Sequence, residues 1–96
     1  MKITLVKKIK ADGEPCKKCQ EVEQRLTDSD LMERIDQIVI ADERDLESEG
    51  MKLAATHQVS LAPFFIVEDD EGNSTIYTIY FKFVKEVLND SVTQHL

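Results

Sequence analysis

Two short apolar runs, QIVIAD (37–42) and PFFIVE (63–68), constrain this chain more than anything else in it. Each is continuous rather than alternating and too short for an ordinary helix, and QIVIAD is bounded by charge. Such runs read as strands buried on both faces, so the sheet that holds them needs cover on both sides. The rest of the sequence supplies that cover. KITLVKKI (2–9) alternates loosely, carries β-branched residues and reads as a first strand. ADGE (11–14) is a loop with Asp12 and Gly13 as turn formers. From Pro15, whose missing N–H costs nothing in a first helical turn, Cys19, Val22 and Leu26 recur at i, i+3 and i+7 as one apolar face. TDSD (27–30) breaks or re-caps that helix, and LMERI (31–35) adds one more turn.

RDLESEGMKLAATHQV (44–59) reads as a second helix with Leu46, Met51, Ala54, Ala55 and Val59 inward, and Gly50 weakens its start. DDEGN (69–73) turns the chain, STIYTIY (74–80) returns as a hairpin strand, and FKFVKEVL (81–88) closes with an amphipathic helix. Tyr77 and Tyr80 are expected to pack between the hairpin and that helix. The expected class is α/β in the order β-α-β-α-β-β-α, one domain over residues 1–96. Its four-stranded mixed sheet is parallel in the first half, ends in an antiparallel hairpin, and has helices on both faces.

Apolar residues make up 42% and charged residues 32% of the chain, a globular balance rather than a disordered one. No apolar run approaches the length that spans a membrane. MKITLVKKIK reads as a strand rather than a signal peptide, so a cytoplasmic protein is expected, and a monomer. The net charge of −7 argues against nucleic acid as a partner. Its distribution is uneven: residues 1–20 hold six lysines against Asp12 and Glu14, while residues 21–96 hold six basic and seventeen acidic side chains.

The only cysteines, Cys16 and Cys19, fall in that basic stretch, in EPCKKCQEV. Half of a zinc site would need two more ligands, and His57 and His95 are too distant in sequence for the usual spacing. A pair shared between two chains could carry Cu(I) or zinc. A structural disulfide would close too small a loop to stabilise much. Two packed thiols without chemistry, in a domain that serves only for interaction, are the plainest alternative. The remaining possibility is a redox dithiol. Cys16 is expected in the first turn of the helix, where N–H groups and the macrodipole favour a thiolate, and Lys17 and Lys18 add positive charge. Cys19, one turn on and on the apolar face, is shielded and placed to resolve a mixed disulfide. Lys17 and Lys18 could equally be the solvated face of a turn. His57 ends the second helix, where its charged form suits the C-terminus.

Proline-Cys-x-x-Cys after a first strand, a helix ending LAATHQV, and SLAP leading into an apolar strand and hairpin together resemble the thioredoxin superfamily, its small glutaredoxin-like members included. The resemblance implies a thioredoxin-like fold and exchange of two electrons with protein disulfides. It makes Cys16 the nucleophile and Cys19 the resolving cysteine. Pro63 would be cis beside the dithiol, and the backbone of Ala62 would pair with an extended substrate. Phe64 is mostly a core residue that could reach the rim of the site, where Lys17 and Lys18 would also meet substrate. Protein disulfides and a reductase or another protein dithiol are the implied partners, and no cofactor or metal is needed. Departures fall at Glu14-Pro15 and Lys17-Lys18, where thioredoxins carry an aromatic residue before the first cysteine and Gly-Pro between the pair. Glutaredoxins hold glutathione with a Gly-Gly turn; EDDEGNSTIY (68–77) lacks it, and its acidic run is expected to repel glutathione's carboxylates.

Overall fold

Strand β1 (Lys2–Ile9) is an inner strand of a four-stranded sheet and pairs on both sides. It runs parallel to β2 (Gln37–Asp42) and antiparallel to β3 (Phe64–Glu68), which pairs antiparallel with β4 (Ser74–Tyr77). The spatial order is β2-β1-β3-β4. Helices α1 (Lys17–Asp28), α2 (Glu49–His57) and α3 (Tyr80–Phe83) complete the α/β order. A 3₁₀ turn at Met32–Arg34 follows α1, and a π-helical turn at Val84–Leu88 prolongs α3. The structure, a computed structural model, describes residues 1–88; residues 89–96, and His95 with them, lie outside the described residues.

Alternation along β1 sorts side chains to the two sheet faces. Ile3 and Leu5 join Phe65 and Val67 under α1 and α3, where Val22, Leu26 and Phe83 close one core. The Phe65 and Phe83 rings stack at 3.8 Å, and Tyr77 meets Phe83 edge-on at 5.8 Å. Val6, Phe64 and Ile66 face the other way with Val39 and Ala41, covered by Met51, Leu53 and Ala54 of α2. Helix α1 is attached mainly by its apolar stripe of Cys19, Val22 and Leu26. Burying each large aliphatic side chain is worth about 1.5–3 kcal/mol. The half-exposed Lys7–Glu23 ion pair that ties α1 to β1 at 3.0 Å adds at most about 1 kcal/mol.

Four details differ from the sequence-based expectation. QIVIAD is not buried on both faces: β2 is an edge strand, α1 does not reach over it, and Ile38 and Ile40 remain 45% and 36% exposed. Helix α2 starts later than Arg44 because the end of β2 folds back on itself. Arg44 forks onto the Asp42 carboxylate, which holds its pKa down to about 2, and the Asp42 N–H donates to Ser48 Oγ at 3.0 Å. Leu46 therefore lies in an exposed turn, and Ala55 points outward while Leu53 packs inward. Strand β4 stops at Tyr77, and the following helix begins at Tyr80.

Gly50 is buried where α2 crosses β2, and a Cβ there would collide with the backbone of Ile40 and Ala41. Backbone cannot rotate aside as a side chain can. Gly50→Ala should therefore lower unfolding stability by about 1–3 kcal/mol, despite the better helix propensity of alanine. A drop in the urea midpoint at unchanged slope is the expected reading; an unchanged or raised midpoint would contradict the close approach.

Candidate functional site

Beyond β1 the chain reverses within five residues. Gly13, at φ +87, donates its N–H to the Lys10 carbonyl at 2.8 Å, and the Lys10 N–H donates to the Glu14 carbonyl at 2.9 Å. The Asp12 carboxylate accepts the Glu14 N–H at 2.9 Å. This turn lays Pro15 against Ile9 and returns Cys16 to the end of β1, where its N–H donates to the Lys8 carbonyl at 3.1 Å.

Cys16 is the N-cap of α1 rather than a first-turn residue. Its backbone is extended, at φ −68 and ψ 123, and its Sγ accepts the Cys19 N–H at 3.4 Å. A sulfur thus fills the role usually taken by a serine or aspartate oxygen. Cys19 is buried one turn below, and its Sγ accepts the Lys8 N–H at 3.3 Å. One peptide group pair, that of Lys8, therefore fixes both cysteines. They stand 3.1 Å apart, and both thiols are free.

The two thiols differ in acidity. At Cys16 partial burial opposes ionisation, but hydrogen bonds from the Cys19 thiol and from the Cys19 and Lys18 N–H groups, with the charge of Lys8, bring its pKa below the ordinary value. Cys19 is pushed up to about 12 by burial first, and by its donation to Cys16, against the opposing Lys8 N–H. A partly exposed, more acidic thiol therefore adjoins a buried one that keeps its proton.

The lysines play different parts from those expected. Lys17 and Lys18 are exposed, and their ammonium groups are not what acidifies Cys16; only the Lys18 backbone N–H contributes. Two cations in a first helical turn oppose the macrodipole, at about 0.3–1 kcal/mol each. Lys8 is the cation that acts on Cys16. It was not singled out from sequence, although a signal exists: it continues the inward phase of Thr4 and Val6 at the strand end.

Ala62 and Pro63 come to the same end of the sheet. Val6 pairs with Phe64, and continuing that register sets Pro63 and Ala62 beside Lys7 and Lys8. The Ala62–Pro63 peptide bond is cis, as the resemblance implied. Phe64 is not at the rim: with Val6 it faces α2 and is only 2% exposed, whereas the dithiol belongs to the α1 side. A cavity of about 200 Å³ opens beside the sulfurs, lined by Pro15, Cys16, Cys19, Lys8 and Ile40 among others.

The acidic run Glu68–Glu71 lies at the opposite end, where Glu68 pairs with Lys2 and Asp70 with the N-terminal ammonium. It is therefore remote from the dithiol, and Thr78 and Ile79, which follow β4, continue toward the dithiol end instead. His57 shares a cavity with Lys2, Thr4 and Glu68, away from the cysteines. No cluster of His, Cys, Asp and Glu suited to a metal ion exists among the described residues, and no described helix is long and apolar enough to cross a membrane.

No family model, curated protein or solved structure matches the chain.

Alkylation rates against pH should separate the two cysteines, because only thiolates react. Cys16 should be modified first, with a midpoint below that of a free cysteine, and Cys19 only in strong alkali. Lys8→Gln removes a cation that favours the thiolate, so the Cys16 midpoint should rise. Lys17→Gln with Lys18→Gln should move it less; a larger shift from that pair would return the electrostatic role to the intervening lysines.

Proposed function

We propose that this chain is a thiol–disulfide oxidoreductase of thioredoxin-like arrangement, working through Cys16 and Cys19. The observation that carries the reading is the opposed acidity of two thiols held by one residue at a helix start: Cys16 is lowered while Cys19 is raised to about 12. A structural pair has no use for such a difference, and thiol–disulfide exchange needs it.

The Cys16 thiolate attacks one sulfur of a partner's disulfide, forming a mixed disulfide and expelling the partner's other sulfur as a thiolate. With Cys16 consumed, the hydrogen bond and charge by which it raised Cys19 are gone, while the Lys8 N–H still points at the Cys19 sulfur. Cys19 then gives up its proton, to the expelled partner thiolate or to water, and attacks Cys16 Sγ. The Cys16–Cys19 disulfide forms, the second partner thiolate leaves, and two electrons have passed to the partner. A reductase or another protein dithiol restores the pair by the reverse exchange. Ala62 offers the partner a free stretch of backbone, and Lys17 and Lys18 are the exposed side chains it meets next to Cys16.

Reduction of insulin disulfides with a recycling dithiol should be accelerated by the wild-type chain and return to background in Cys16→Ser, which retains a capping side chain and so the fold. Cys19→Ser should instead accumulate a mixed disulfide at Cys16, visible as an adduct by mass spectrometry. Equal rates for wild type and Cys16→Ser would refute the reading.

A further inference from the structure

A second cavity, of about 430 Å³, lies apart from the one beside the sulfurs. It opens on the α2 side of the same sheet end, and its walls are mainly apolar: Ala41, Met51, Ala54, Val59, Leu61 and Phe64. Leu61 at its edge is 62% exposed. The charges at its mouth, Lys8 and Glu43, form a pair at 3.8 Å and leave no net charge there. Two features join this cavity to the dithiol. Lys8 lines both cavities, and Ala62 lines the larger one while lying beside Lys8 in register.

The Ala62 N–H and carbonyl have no hydrogen-bond partner among the described residues. An extended segment of a partner protein could pair with them, and successive side chains of an extended segment point to opposite sides. A cysteine turned toward Cys16 on the α1 side sends its immediate neighbour toward the α2 side, where the cavity lies. Resting on the oxidoreductase reading, we infer that the cavity receives a large uncharged apolar side chain adjacent to the partner's reacting cysteine, so the favoured substrates are protein disulfides with such a neighbour. Its volume admits an aromatic ring, and its neutral rim gives a charged neighbour no counter-ion.

Single-turnover oxidation of the pre-reduced chain tests this without a recycling reductant. The probes are three symmetrical peptide disulfides, acetyl-Gly-Cys-X-Gly-amide with X as Phe, Ser or Glu, and the neutral small molecule 2-hydroxyethyl disulfide. The Phe peptide should react about tenfold or more faster than the Ser and Glu peptides, the scale expected for burying one large apolar side chain. Ala55 lines the cavity from an exposed helix position, so Ala55→Trp places a ring there and should reduce the Phe preference to near unity. Ala55→Leu, a milder filling, should reduce it in part and guards against a misfolded tryptophan variant. Equal rates for the peptides, or a Phe preference unchanged in both variants, overturn the cavity's role while leaving the dithiol chemistry standing. Failure of all four disulfides to oxidise the pair overturns both.

Discussion

The peptide groups of Lys8 hold the cysteine-bearing end of this molecule together. The N–H points at Cys19 Sγ, and the carbonyl receives the Cys16 N–H. Those two bonds tie the start of α1 to the end of β1, so the position of the helix and the position of the sulfurs are set at once. Each is individually modest, about 0.5–1.5 kcal/mol for a typical bond. Their effect is directional: the apolar stripe of Cys19, Val22 and Leu26 presses α1 onto the sheet, but burial alone does not choose where along β1 the helix begins.

The same geometry divides the two thiols. A sulfur at an N-cap faces N–H donors and stands in partial contact with water, so its charged form is favoured. A sulfur one turn lower meets the core, and burial outweighs the single N–H that reaches it. The difference does not need the lysines between the cysteines. It needs a tight turn at Gly13, a proline that lies back on Ile9, and one strand residue whose side chain is also cationic. Stabilising the Cys16 thiolate stabilises the reduced pair, which makes the corresponding disulfide a better oxidant.

Much of this was legible in the residues. The apolar runs, the alternation of KITLVKKI and the i, i+3, i+7 stripe led to the observed element order and mixed sheet. The cysteine pair fell at a strand–helix junction, and Pro63 stood immediately before the third strand, which begins at Phe64. What was not legible depended on neighbours far away in the chain. Ile38 and Ile40 look like core residues until β2 proves to be an edge, which is a property of strand order rather than of the run itself. The acidic run at 68–71 seemed close to the dithiol only because no pairing register was in hand. Once Glu68 sits beside Lys2, it belongs to the other end. Lys8 was hidden among six lysines of residues 1–20, because its role lies in its backbone and its phase along the strand. Gly50, which weakens a helix by propensity, proved to be what lets α2 approach β2.

The claim on which the account stands is that Cys16 and Cys19 form one reversible two-electron couple. An equilibrium titration of the chain in buffers of graded oxidised and reduced dithiothreitol or glutathione, read by mass after acid quenching and thiol labelling, tests it directly. The account predicts one transition between a doubly labelled dithiol and an unlabelled intramolecular disulfide, fully reversible and approached equally from either side. Independent oxidation of the two cysteines, stable singly labelled species across the range, or no disulfide under any buffer would contradict it.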